Sequence, residues 1–133
     1  MDKILFVSNT AGVITTLTGK GRTVSNLVIP NTLFGTKIKS IGDCAFLICY
    51  NIESAKISEG ITSIGEFAFR GCINLKSITI PKSVDVIKNS AFRDCFDLDT
   101  VNYAGTEEEW NKIEFGDNNE WLTKATINFN YKD

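Results

Sequence analysis

The residues of this sequence that could do chemistry are its four cysteines, because the chain contains no histidine. Cys49, Cys72 and Cys95 follow one another at intervals of 23 residues, and Cys44 stands outside that series. A thiol can act as a nucleophile, as a metal ligand or as half of a disulfide. Without histidine, the chain lacks the usual base that activates a nucleophilic cysteine and the commonest transition-metal ligand. A structural role for the cysteines is the alternative.

The interval of 23 residues recurs in other residue types, which indicates a tandem repeat. Apolar and small residues fall in the same columns when segments 38–60, 61–83 and 84–106 are superimposed. Each copy ends in an alternation such as Ser-Ile-Thr-Ile at 77–80, which predicts a strand with one buried face. One such unit cannot bury its own apolar face, so the copies are expected to stack, each strand pairing in parallel with the next.

The ten positions that define the repeat are seen most clearly in the central copy. They are Ile61, Ile64, Gly65, Ala68, Phe69, Cys72, Leu75, Ile78, Ile80 and Pro81. The aromatic residues Phe67 and Phe69 are both expected to point inward. Two copies depart from the pattern, with Ala55 in place of a large aliphatic residue and Lys88 in place of the glycine.

Stacking of the copies decides how the cysteines are interpreted. Successive thiols of the column would lie about 4.8 Å apart, the spacing of neighbouring strands. Zinc would need four converging ligands, usually with close C-x-x-C pairs, and the sequence has none of these pairs. A disulfide between neighbouring coils stays open, although parallel stacked Cβ atoms sit somewhat too far apart. We favour small buried hydrophobic side chains and expect all four cysteines to be free and slowly reactive.

The pattern I-x-x-I-G-x-x-A-F-x-x-C-x-x-L-x-x-I-x-I-P closely resembles the BspA-type leucine-rich repeat of bacterial and some protist surface proteins. The resemblance implies a repeat solenoid: a short right-handed leucine-rich repeat coil with a parallel β-sheet, a β-rich N-terminal cap and an α/β C-terminal cap. The chain, 1–133, is expected to form one domain. Its predicted parts are the N-terminal cap with the first strand (1–37), three repeats (38–60, 61–83, 84–106) and the C-terminal cap (107–133).

Both ends of the chain carry patterns that the caps would use. Two β-like runs, 4–7 and 13–18, precede a Gly-Lys-Gly turn, and residues 27–30 stand as the first strand of the solenoid. Thr106 and Glu109 have the spacing of a capping box, which predicts a helix there. Alternating residues near the C-terminus predict a final strand: Ala125, Ile127, Phe129 and Tyr131.

The aromatic residues Trp110, Phe115 and Trp121 allow two interpretations. They could form a platform on which sugars stack. We favour a shield over the open end of the solenoid, which would otherwise expose apolar surface to water.

Charge and composition argue against several function classes. The net charge is −2 and no run of Lys or Arg stands out, so neither nucleic acid nor an anionic membrane surface is an expected partner. The acidic groups at 94–99 and 107–109 fit a solvated turn and the first turn of a helix better than a catalytic pair. No metal and no cofactor is implied, and no catalytic residue is assigned.

The expected function is therefore recognition rather than catalysis, with a surface as the site. Short polar side chains should face outward from the strands, and this predicted partner-binding face consists of Ser54, Lys56, Ser77, Thr79, Thr100 and Asn102. About four strands at ~4.8 Å spacing give a face less than ~20 Å wide, too small for a tight protein interface. Weak or multivalent binding of a protein or glycan by a monomer is expected.

The resemblance implies a bacterial cell-surface or secreted adhesion module. The first apolar run is too short for a signal peptide and no stretch is long enough to insert in a membrane, so a cytoplasmic location stays open. The alternative is an accessory or spacer domain of a larger secreted enzyme, and a free-standing hydrolase ranks third.

Overall fold

The computed structural model describes residues 5–133, which form many short strands and two single-turn α-helices. In chain order the elements are β1 (Phe6–Ser8), β2 (Val13–Leu17), a 3₁₀ turn (Gly21–Thr23), β3 (Asn26–Ile29), β4 (Thr32–Leu33), β5 (Thr36–Lys37), β6 (Ser40–Ile41), β7 (Ser54–Ile57), β8 (Ser63–Ile64), β9 (Ser77–Ile80), β10 (Val86–Ile87), β11 (Thr100–Tyr103), α1 (Glu107–Trp110), β12 (Glu114–Phe115), α2 (Glu120–Thr123) and β13 (Thr126–Asn128).

Apart from the two-stranded hairpin of β4 and β5, the strands form two sheets that run along the stack of coils. The long-strand sheet has the order β13-β11-β9-β7-β3, and all its pairs are parallel. The short-strand sheet has the order β1-β2-β6-β8-β10-β12 and is parallel except for the pair β1-β2. This is a parallel-sheet solenoid of about five turns, and the predicted repeat fold is confirmed.

The register of the long-strand sheet shows where the coils are equivalent. Ser54 is opposite Ser77, and Ser77 is opposite Thr100, so neighbouring central strands are offset by 23 residues. The first pair, Asn26 with Ser54, has a longer offset because the antiparallel hairpin β4-β5 is inserted in that coil. The division into three repeats with the boundaries given above stays a prediction.

A column of phenylalanine rings forms the centre of the core. Phe46, Phe69 and Phe92 are fully buried, one in each coil. The ring centroids of Phe46 and Phe69 are 5.0 Å apart, and those of Phe69 and Phe92 are 5.1 Å apart with the rings almost parallel. Phe6 of β1 adds an edge-on contact to Phe46 at 6.5 Å, which extends the column to the first strand. The column therefore joins the coils to one another as well as filling each of them.

The turn that precedes each phenylalanine has a left-handed backbone position. Cys44, Phe67 and Ser90 occupy it with φ close to +60°. This conformation costs energy for residues other than glycine, but the amide of each of these residues donates a hydrogen bond to the next coil. The prediction that Phe67 points inward is wrong: its side chain is half-buried, with the Arg70 guanidinium 5.4 Å from the ring centroid.

The glycine of the repeat is required by the close approach of two coils. A Cβ atom on Gly65 would lie 2.6 Å from the backbone of the preceding coil, at the nitrogen of Asp43. Lys88 takes this position in the next coil and still donates its amide to the Ile64 carbonyl at 3.0 Å. The departure from the repeat pattern at Lys88 therefore keeps the inter-coil hydrogen bond.

The C-terminal segment begins with the predicted capping box. Thr106 Oγ1 accepts a hydrogen bond from the Glu109 amide at 3.1 Å, and Glu109 Oε1 accepts one from the Thr106 amide at 2.9 Å. The hydrogen bond from the Thr106 amide to the carboxylate lowers the pKa of the Glu109 carboxyl group. Helix α1 is a single turn, and Trp110 at its end is buried with its ring edge-on to Tyr103 at 5.0 Å.

The last strand is shorter than the alternation predicted, since β13 covers Thr126–Asn128 alone. Asn130 has a φ of +56°, and the chain leaves the sheet there. At the other end, part of the predicted run 4–7 lies outside the described residues, and Phe6 and Val7 belong to β1. That either end functions as a cap stays a prediction.

We expect Phe69→Ala to lower the free energy of unfolding by about 3–5 kcal/mol, because it opens a cavity in the middle of the ring column. Thermal or chemical unfolding measures this loss. Phe96→Ala is the matched control, because Phe96 is 66% exposed and its truncation should change the stability by less than about 0.5 kcal/mol. Equal stability of the two variants would contradict the assignment of the core.

Candidate binding surfaces

The six residues of the predicted partner-binding face lie together on the outer side of the long-strand sheet. On β7, β9 and β11, buried and half-buried residues alternate, and all six predicted residues are in the half-buried, outward positions. They form two rows across the strands, one through Ser77 and one through Thr79. We use the term sheet face for this surface. That the sheet face binds a partner stays a prediction.

The sheet face extends beyond the three strands that carry the predicted residues. At one side, the Ser54 hydroxyl donates to Asn26 Oδ1 of β3 at 2.7 Å. At the other side, Asn128 Nδ2 of β13 donates to Asn102 Oδ1 at 2.9 Å. The face therefore spans five strands, and hydrogen bonds between its own side chains fix several of them in position. The sequence predicted about four strands and did not identify these contacts.

The C-terminal residues run back across one edge of the sheet face. The Tyr131 amide donates to the Tyr103 carbonyl at 2.9 Å, beyond the end of β11, and the Asp133 side chain forms an ion pair with Lys56. A cavity of about 350 Å³ lies at this edge, and Thr79 is among its lining residues. The charge of Lys56 is thus paired with that of Asp133, and Lys56 is not an isolated cation on the sheet face.

The three cysteines of the column are buried in successive coils, and their thiols donate hydrogen bonds to backbone carbonyls. Cys72 Sγ donates to the Phe46 carbonyl at 3.1 Å, and Cys95 Sγ donates to the Phe69 carbonyl at 3.2 Å. Burial raises the pKa of the Cys72 thiol, and it raises that of Cys95 to about 12. Burial also raises the pKa of Cys49, although the nearby Arg22 guanidinium opposes this shift. All three thiols are therefore protonated at neutral pH and unsuited to nucleophilic attack.

Cys44 differs from the other three cysteines because its side chain is exposed. The expectation that all four thiols react slowly is wrong for this residue. Cys44 has the same left-handed backbone as Phe67 in the next coil, whose side chain is half-buried. None of the four cysteines is in a disulfide.

The carboxylates of the structure do not converge on a common point. Asp94 is held near two cations, with Arg70 Nε at 3.9 Å and Arg93 Nε at 4.0 Å from its Oδ2. The acidic residues at 107–109 lie in the first turn of α1. Within residues 5–133, no group of three or more Cys, Asp or Glu side chains could hold a metal ion. In the same part of the chain, no helix has the length and apolarity needed to cross a membrane.

Tyr50, Ile73 and Phe96 form a surface feature that the sequence did not reveal. Each follows a cysteine of the column, and each has a large apolar side chain that is exposed, by 56%, 38% and 66% respectively. We call these three residues the apolar ridge. Their common spacing of 23 residues was a usable signal, but apolar residues beside a buried cysteine are also expected in a core.

The chain is similar to a known repeat family over most of its length. The sequence model of the BspA type leucine rich repeat region, in six copies, matches residues 20–132. No curated protein sequence matches the chain.

Solved structures of bacterial repeat proteins share the fold. A leucine-rich repeat protein from Bacteroides capillosus ATCC 29799 is 21% identical with a TM-score of 0.71, and the match covers 93% of this chain and 91% of that chain. A leucine rich cell surface protein from Faecalibacterium prausnitzii A2-165 is 26% identical with a TM-score of 0.60, covering 74% of this chain and 31% of that one. A leucine rich repeat protein of T. pallidum is 24% identical with a TM-score of 0.62, covering 68% and 44%. The chain thus spans less than half of the last two proteins.

We expect one thiol of the native protein to react rapidly with a thiol-specific reagent and three to react slowly, because Cys44 alone is exposed. Absorbance after mixing, with and without denaturant, counts the two classes. Cys44→Ser is the control. It should remove the rapid phase and leave three slowly reacting thiols. Two or more rapid thiols in the native protein, or a mass that shows a disulfide, would contradict the buried column.

Proposed function

Because the chain belongs to the BspA-type leucine-rich repeat family, we propose that it is a non-catalytic binding module of a bacterial cell-surface or secreted protein. The observation that carries this proposal is the sheet face, where outward polar side chains are aligned in two rows across the central strands. Parallel strands place equivalent side chains at intervals of about 4.8 Å, so a partner meets a regular array of hydrogen-bonding groups.

The size of the sheet face determines the kind of binding that we propose. Five strands of about four residues cover a few hundred Å² at most, on strand spacing and rise per residue. A standard interface needs about 800 Å² from each partner. The module therefore binds weakly by itself, and its adhesion strength comes from many copies or from attachment to a larger protein.

The proposed location rests on a relative. The similar protein from Faecalibacterium prausnitzii is described as a cell surface protein, and it is 26% identical to the chain.

A second candidate function is that of an accessory or spacer domain in a larger secreted enzyme. The chain covers 31% of the Faecalibacterium prausnitzii protein, so the same fold occurs as one part of a longer protein, as this candidate requires. A gene in which this module adjoins a catalytic domain would support this candidate. Binding activity of the isolated module would support the first.

We expect Thr79→Arg to abolish ligand binding, because Thr79 lies on the central strand β9 between Lys56 and Asn102 of the neighbouring strands. A long cationic side chain there blocks the middle of the sheet face. The measurement is binding of the multivalently displayed chain to a panel of extracellular-matrix proteins and to a glycan array. Thr62→Arg is the matched control, since Thr62 is exposed immediately before β8 of the other sheet and its substitution should leave binding unchanged.

Either of two outcomes would refute the sheet face as the binding site. One is a ligand that binds the wild type and the Thr79→Arg variant equally. The other is the absence of binding to the whole panel under multivalent display.

A further inference from the structure

The apolar ridge is exposed at a place where the fold gives it no partner of its own. Tyr50, Ile73 and Phe96 each follow a buried cysteine, and the turn that buries the cysteine directs the next side chain to solvent. Single exposed apolar residues are common on protein surfaces, whereas aligned ones form a continuous patch. Three large side chains in one column on three successive coils therefore need an explanation other than stability.

Backbone contacts fix the spacing of the ridge. The Asn74 side-chain amide donates to the Tyr50 carbonyl at 2.8 Å, and the Ile48 amide donates to the Arg70 carbonyl at 2.8 Å. Neighbouring coils are thus in hydrogen-bonding contact at the ridge, about 4.8 Å apart. The two aromatic residues, Tyr50 and Phe96, are two coils apart and hence separated by about 10 Å. The three residues of the ridge therefore occupy equivalent positions in successive coils along the axis of the solenoid.

The charges beside the ridge are balanced. The turns that carry it, 47–53, 70–76 and 93–99, contain three basic and four acidic residues. Two of the bases, Arg70 and Arg93, both lie near the Asp94 carboxylate. Such a surface attracts neither polyanions nor polycations, and it gives an anionic bilayer no basic cluster to bind.

The shape of the ridge excludes two further partners. Three side chains offer far less than the roughly 800 Å² that each partner contributes to a stable dimer, so a second copy of this chain is not held there. The side chains project from turns and each is more than a third exposed, so they do not provide the fully desolvated pocket that buries an anchor residue of an apolar peptide. A narrow, uncharged and extended ligand fits these limits.

We infer that the apolar ridge binds a neutral polysaccharide, an extended β-linked chain of hexopyranose units lying along the solenoid axis. The C–H face of a sugar packs against an aromatic ring, and alternate sugars of such a chain present the same face at a separation near that of Tyr50 and Phe96. Ile73 contacts the intervening sugar. The exposed side chains of Asn51 and Asn74 flank the ridge. Each donates one amide hydrogen bond within the protein, to the Arg22 and Tyr50 carbonyls respectively, and the amide oxygen of each can accept a hydrogen bond from a sugar hydroxyl.

The polysaccharide site is separate from the sheet face, although both serve recognition. Ile73 lies four residues before Ser77, at the end where β9 begins, so the ligand would run beside the strands and not over them. The inference concerns different residues from the proposed function, and variants of the two surfaces distinguish them.

The test is a titration of the full chain with glucose, cellotriose and cellohexaose, followed by NMR or calorimetry. The affinity should rise with the length of the oligosaccharide and should fall about tenfold in Tyr50→Ala and in Phe96→Ala, as expected for the loss of one stacked ring. Phe34→Ala is the matched control, because Phe34 has the same 66% exposure as Phe96 and lies between β4 and β5. It should leave the affinity unchanged, and thermal melts should show that all variants fold.

Several results would overturn the inference. They are no binding of the neutral oligosaccharides, equal affinities of the wild type and the two ridge variants, or tighter binding of heparin than of cellohexaose. If Thr79→Arg abolishes oligosaccharide binding and the ridge variants do not, the sugar binds at the sheet face. The inference then fails while the proposed function stands.

Discussion

The structure depends on hydrogen bonds between coils, because a single coil can satisfy neither its backbone nor its apolar side chains. In the turn before each strand, the Phe46 amide donates to the Ala68 carbonyl and the Phe69 amide to the Ala91 carbonyl, both at 2.7 Å. The same turns place the ring column in the core. Each coil thus provides the partners that its neighbour lacks, and the stack folds as a whole.

This constraint also determines the surface. Within the long strands, the sequence neighbours of an inward-facing residue face outward, and the same positions recur on successive coils. Polar residues at two such positions produce the sheet face, and apolar residues at another produce the ridge. The two surfaces proposed for recognition therefore share one spacing, about 4.8 Å, which is set by the backbone and not by the side chains that they present.

The period of 23 residues was sufficient to predict the solenoid, the buried cysteine column and the outward positions of the sheet face. It did not predict the left-handed turns, because Phe67 and Cys44 are residue types that rarely adopt positive φ and are usually buried. The ion pair between Lys56 and Asp133 joins residues far apart in sequence, and no local pattern indicates it. The ridge was missed for another reason. Its residues recur every 23 residues, as the buried residues of the repeat do, so the period alone does not distinguish exposed apolar positions from buried ones.

The most direct test of the stacked coils is the NMR scalar coupling that is transmitted through individual backbone hydrogen bonds. In isotope-labelled protein, we expect couplings from the Phe69 amide nitrogen to the Ala91 carbonyl carbon and from the Phe46 amide nitrogen to the Ala68 carbonyl carbon. Their partners are 22 residues away in sequence, which only a stack of coils brings together. Coupling of the Phe69 amide to the Gly65 carbonyl, as in a local helical turn, would contradict the solenoid.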